Sequence, residues 1–66
     1  MKNKVRELRK QKGLTQEQLA EIIGVSRQTI NAIEKEKFDP SLPTAFKMAK
    51  LFEISIENFF LFDDTK

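Results

Sequence analysis

A single glycine, Gly24, separates TQEQLAEII from VSRQTINAIEKEK, and no other feature restricts the fold as much. Before it, Thr15 has the chemistry of a helix N-cap, and Gln18 stands three residues later in the capping-box position. Leu19, Ile22 and Ile23 then form one apolar face, and Gly24 stops the run, which predicts a helix over about 16–23. After it, Val25 connects and Ser26 caps a second helix, reaching to about Glu34 or Lys35. At about 100° per residue, Ile30, Ile33 and Ser26 turn inward together with Val25. Arg27, Gln28, Asn31 and Lys35 share another face, with small Ala32 beside them and Thr29 at the border.

The rest of the chain repeats this punctuation. Val5, Leu8 and Arg9 follow a helical spacing that Gly13 ends, predicting a first helix over about 4–12. The segment KEKFDPS is a loop marked by Asp39-Pro40. Ser41 caps a fourth helix whose first turn tolerates Pro43, because the N–H it lacks has no partner there. Leu42, Ala45, Phe46, Ala49 and Phe52 form its apolar stripe. Ser55 caps a last short helix carrying Ile56, Phe59 and Phe60. The one strand candidate is 60–63, which would pair with the first few residues. Five short helices in 66 residues make a compact all-α domain spanning 1–66.

A chain of this length buries a modest share of its surface and is marginal alone. With no Cys and no His, neither a disulfide nor an ordinary zinc site can staple it. Oligomerisation is the remaining source of extra stability, and a very well-packed monomer is the plain alternative. No stretch approaches the roughly 20 apolar residues of a membrane span. MKNKVRELRKQK leads into no apolar run, so no signal peptide is expected, and absence of Cys fits a cytoplasmic location. The net charge of +2 hides an asymmetry: residues 1–12 carry six Lys/Arg against one Glu, and residues 53–66 carry four acids against one Lys. A basic end suits an anionic partner, although from charge alone a solvated helix face is the preferred reading.

The polar face of the third helix is more informative. An ordinary exposed helix alternates Glu and Lys, whereas 27–32 contains no acid. Arg suits the major-groove edge of guanine and Asn or Gln that of adenine, because each bonds in bidentate fashion; Ala or the methyl of Thr can meet a thymine methyl. The bland reading is an ordinary polar surface. The preceding turn shifts the balance, since a short helix, a glycine turn and a second helix form a helix-turn-helix. That geometry requires a small residue where the helices approach, a residue tolerating positive φ in the turn, and apolar residues locking the second helix. Ala20, Gly24, Ile30 and Ile33 meet these requirements.

On these residues, TQEQLAEIIGVSRQTINAIEKEKFDPSL resembles the Cro/cI-type helix-turn-helix of bacterial and phage repressors, the XRE family. The likeness extends from VRELRKQKGLTQ to AFKMAKLFEISIENFF, nearly the whole chain. It implies a lambda-repressor-like five-helix domain, with a helix-turn-helix over about 16–35 and, in very small stand-alone members, short terminal strands and a homodimer. It implies a recognition helix in the major groove of double-stranded DNA, with Gln28, Thr29 and Asn31 toward base edges and Arg27 toward a base edge or a phosphate. Gln16, Ser26, Lys35 and Lys37 become backbone contacts, which position without reading sequence. Arg9 and Glu34 match a family ion pair holding the recognition helix; the plain alternative is a surface pair contributing ~0–1 kcal/mol. Glu36 stands where many relatives have Gly or Asn, so a left-handed backbone there would be strained; the alternative is a slightly different loop, which would move Lys35 and Lys37.

Two-fold presentation of such a helix needs a second interface. Phe59, Phe60, Leu61 and Phe62 are consecutive, so a region over about 51–64 is expected to dimerise, through Leu51, Phe60, Leu61 and Phe62; the plain alternative is that Phe59 and Phe60 complete the core of one chain and Leu61 and Phe62 fray. The expected function is sequence-specific binding of a palindromic operator by a homodimeric transcriptional repressor. The rival is a protein-interaction module, such as an antitoxin or coactivator-type partner. An enzyme is not expected, for there is no His, no Cys and no nucleotide-binding glycine loop. No metal, cofactor, small-molecule ligand or membrane partner is implied.

Overall fold

Short polar side chains start most of the helices, and left-handed residues end them. The computed structural model describes residues 2–61. Its order is β1 (Lys2–Asn3), α1 (Val5–Gln11), α2 (Gln16–Ile23), α3 (Arg27–Glu34), α4 (Leu42–Phe52), α5 (Ile56–Phe59) and β2 (Phe60–Leu61). Thr15 and Gln18 form the capping box: the Thr15 hydroxyl accepts from the Gln18 N–H at 3.0 Å, and the Gln18 side chain accepts from the Thr15 N–H at 2.9 Å. Ser26 and Ser41 accept from the N–H groups of Thr29 and Thr44. Ser55 occupies the N-cap of α5 without a side-chain bond. Each accepted bond satisfies one of the free N–H groups that open a helix. The α1 N-cap, Lys4, has no such side chain; Asn3 substitutes by accepting the Val5 N–H at 3.1 Å.

Gly24 ends α2 at φ 89°, in the left-handed region that glycine enters without steric cost. Two other helices end in the same conformation without glycine. Glu36 follows α3 at φ 62°, and Glu53 ends α4 at φ 56°. Of the two alternatives for Glu36, the backbone is the left-handed one, whereas Glu53 carried no warning in the sequence. The terminal strands pair antiparallel, Lys2 with Leu61 and Asn3 with Phe60. They bring the two ends of the domain together beneath α3, whose Ile33 carbonyl accepts from the Asn3 side chain at 2.8 Å.

The core is Val5, Leu19, Ala20, Ile23, Ile30, Ile33, Ala45, Met48, Phe52, Phe59 and Phe60. Its membership corrects the expected apolar faces in three places. Ile22 is exposed, because Leu19, Ala20 and Ile23 are the residues that α2 turns inward. On α4 the buried row is Ala45, Met48 and Phe52, with Ala49 half-buried, while Leu42 and Phe46 stand 65% and 55% exposed. Two neighbouring apolar rows exist on α4, and contact with α2 and α5 selects one. Ser26 is exposed rather than inward, since a cap precedes the first regular turn.

Phe59 and Phe60 are both buried although adjacent. A continuous helix would point them about 100° apart. Here α5 ends at Phe59 and Phe60 takes an extended backbone, φ −109° and ψ 120°. Their ring centroids lie 4.5 Å apart, and the Phe52 ring meets Phe59 edge-on at 5.9 Å. Phe60 therefore belongs to β2 and to the core of its own chain. Phe62 and the side chain of Leu61, both expected at a dimer interface, lie outside what the structure describes. Among the described residues, no helix is long and apolar enough to cross a membrane.

Candidate nucleic-acid interface

Ile30 and Ile33 are fully buried against α2, and their spacing decides what the rest of α3 can do. Burying that edge leaves Arg27 and Gln28 exposed and Thr29, Asn31 and Ala32 half-buried. Lys35 and Lys37 are exposed just beyond the helix. The only acid of α3, Glu34, is turned away from solvent: its side chain is 4% exposed and that of Arg9 is 11% exposed.

Arg9, from α1, grips Glu34 with two nitrogens. Nε donates to Oε2 at 2.6 Å and Nη2 to Oε1 at 3.3 Å; Nη1 donates to the Leu14 carbonyl at 2.8 Å. The pair thus ties α1, the loop before α2, and the end of α3. It is an interior ion pair, different in kind from an exposed one, because few waters compete with it.

Gln16, in the first turn of α2, completes the arrangement. Its Nε2 donates to Glu34 Oε1 at 3.1 Å and to Asn31 Oδ1 at 3.3 Å. The chemistry fixes the orientations. An ionised carboxylate only accepts, so the Gln16 atom facing it is the NH₂ group. The same NH₂ then requires the oxygen of Asn31. The Asn31 NH₂, and the second lone pair of its oxygen, remain for an outside partner. An adenine edge needs that donor and acceptor combination.

Arg6, Arg9, Gln16, Asn31, Glu34 and Lys35 line an open cleft of about 250 Å³. It contains three cations, and its one carboxylate is held by Arg9, so the mouth is electropositive. Arg6 was not among the residues expected from sequence; its helical position three residues before Arg9 was the available signal. A second hollow is lined by Ser26, Gln28, Thr29, Ala32 and Phe38. Phe38 was also unexpected. Thr29 is more constrained than its border position suggested, because its hydroxyl lies 2.9 Å from that of Ser26.

The structure therefore gathers Arg27, Gln28, Thr29 and Asn31 on α3, with Gln16 bonded to Asn31 and Lys35 beside them in the cleft. Ser26 sits at the edge of the hollow, and Lys37 is exposed past the end of the helix. Leu51 is half-buried against the core, in the last turn of α4.

A short capped helix, a left-handed glycine and a second helix locked by buried isoleucines define a helix-turn-helix domain. The helix-turn-helix family profile matches residues 5–59, and the chain belongs to that family, in its XRE branch. It is 58% identical over 64 residues to an uncharacterised HTH-type transcriptional regulator of Methanocaldococcus jannaschii, covering 97% of each chain. Among solved structures it is similar to the restriction-modification controller protein C.AhdI of Aeromonas hydrophila, with TM-score 0.74, 36% identity and 85% of each chain covered. It is also similar to the N-terminal DNA-binding domain of SinR from Bacillus subtilis, with TM-score 0.75 and 25% identity, covering 94% of this chain and 90% of that one.

Proposed function

We propose that this chain is a sequence-specific double-stranded DNA-binding regulator that acts in the cytoplasm as a homodimeric repressor. The α3 helix enters the major groove, and the operator is palindromic. The observation that carries the reading is the face of α3. Its only carboxylate is sequestered by Arg9, so what remains outward is cationic or neutral: Arg27, the amides of Gln28 and Asn31, and parts of Thr29 and Ala32. That face repels no phosphate and matches base edges in hydrogen-bonding type. Arg27, Gln28 and Asn31 read bases, while Gln16, Arg6, Ser26, Lys35 and Lys37 meet the backbone. Repression follows from occupancy of a promoter.

Dimerisation through the C-terminal end gives the two-fold axis that a palindrome requires, with half-sites about 34–36 Å apart. Leu51, Leu61 and Phe62 are the residues proposed for that face; Phe60, only 5% exposed, has little left to offer a partner. The second reading, a protein-interaction module, draws on Leu42 and Phe46, one turn apart on α4 and both exposed. Selection of duplexes from a randomised pool at about 150 mM salt, with competitor DNA, separates the two. A recurrent two-fold sequence supports the regulator. Binding that is equal for all sequences and vanishes as salt rises overturns it.

A further inference from the structure

Among the described residues that line the hollow beside α3, Phe38 is the large apolar side chain, and its placement follows from how that helix ends. The Glu36 N–H bonds the Ile33 carbonyl at 2.9 Å and the Lys37 N–H bonds the Ala32 carbonyl at 3.0 Å. With Glu36 left-handed between them, this is a Schellman ending, which reverses the chain over the last turn. The reversal brings Phe38, 52% exposed, into a hollow whose other walls are Ser26, Gln28, Thr29 and Ala32. The Thr29 hydroxyl is engaged with Ser26, so Thr29 has its methyl left to offer. The hollow thus combines a phenyl ring, two methyl-bearing residues and, at its border, one carboxamide.

We propose that Phe38, Thr29 and Ala32 form a seat for the 5-methyl group of one thymine per half-site. A residue outside the recognition helix then takes part in reading sequence. The inference rests on the DNA-reading function above. Major-groove thymine is the base that presents a methyl group, and Ala, Thr and Phe are the side chains that meet it by apolar contact. Gln28 can bond the adenine edge of an adjacent pair, so the seat and the amide together favour consecutive A·T pairs. The surroundings fit DNA rather than an apolar protein segment. Arg27 and Lys37, the chain neighbours of Gln28 and Phe38, are exposed and offset the exposed Glu36 and Asp39 of the loop, and residues 27–33 contain no acid.

The test uses the duplex selected by the wild-type chain, with each thymine replaced in turn by uracil, which removes only the methyl group. Burying one methyl-sized group is worth about a fourfold change in affinity. One thymine position per half-site is expected to show that loss with the wild-type chain, and Phe38→Ala is expected to bind thymine and uracil alike there. Other thymines keep the same ratio in both proteins. Phe38 is half-exposed, so the variant folds, and thermal denaturation verifies it. Equal thymine-to-uracil ratios in both proteins at every position overturn the seat while leaving DNA reading intact. Failure to select any sequence overturns the DNA-reading function and the seat with it.

Discussion

Removing the Glu34 carboxylate is expected to destabilise this domain by a large part of its total stability. In Glu34→Ala the Arg9 guanidinium, with its side chain 11% exposed, keeps only the Leu14 carbonyl as a partner. Breaking a buried pair by deleting one member costs ~3–5 kcal/mol, because the remaining charge is uncompensated. Gln16 loses one of its two acceptors as well. A 66-residue chain has a total stability of roughly 3–10 kcal/mol at ordinary per-residue values. At 4–8 °C per kcal/mol for domains of this size, the midpoint falls by at least about 12 °C. Urea and thermal denaturation followed by far-UV circular dichroism, at one fixed protein concentration, give both numbers. The double variant Arg9→Met/Glu34→Leu removes both charges and is expected to recover most of the loss. It is not expected to recover DNA affinity, since Gln16 no longer has a carboxylate to orient it toward Asn31. A Glu34→Ala loss below ~1 kcal/mol would refute the reasoning, for that is the behaviour of an exposed pair.

Three further expectations follow from other residues. Glu36→Gly relieves a left-handed glutamate and raises stability by about 0.5–1 kcal/mol, read as an increase in urea midpoint at unchanged slope. Glu53→Gly should behave alike at the end of α4; a decrease in either variant means the carboxylate contributes more than the backbone costs. Thr15→Ala breaks the capping box and lowers stability by ~1 kcal/mol, whereas a change within experimental error means α2 is held by packing alone. Gln28→Ala and Asn31→Ala each relax preference at one base position by about 1–3 kcal/mol, seen by repeating the duplex selection. Uniform weakening across all sequences assigns the residue to backbone contact instead.

Local chemistry was the legible part of the sequence. Caps at Thr15, Ser26 and Ser41, and the turn at Gly24, depend on neighbours a few residues away, so the helix limits could be read directly. The same holds for the polar face of α3, which needs only the helical period and two inward isoleucines. Choices made by tertiary packing could not be read this way. The α4 sequence offers two adjacent apolar rows, and nothing local says that Ala45, Met48 and Phe52 face inward while Leu42 and Phe46 do not. Adjacent Phe59 and Phe60 both enter the core because the backbone changes from helix to strand between them. Within the site, the Arg9 and Glu34 pairing came from family resemblance rather than spacing. The bonds from Gln16 to Asn31 and Glu34 span 15 and 18 residues and had no sequence signature. Phe38 had one slender cue, an aromatic residue in an otherwise polar loop.

The most direct measurement is a map of backbone amide shifts in the ¹H–¹⁵N spectrum during titration with the selected duplex. The changes are expected to concentrate at residues 27–32, with Gln16, Lys35 and Phe38, while Leu42 and Phe46 stay near their free positions. Changes centred on Leu42 and Phe46, with the α3 amides unmoved, would contradict it and assign DNA contact to a different face.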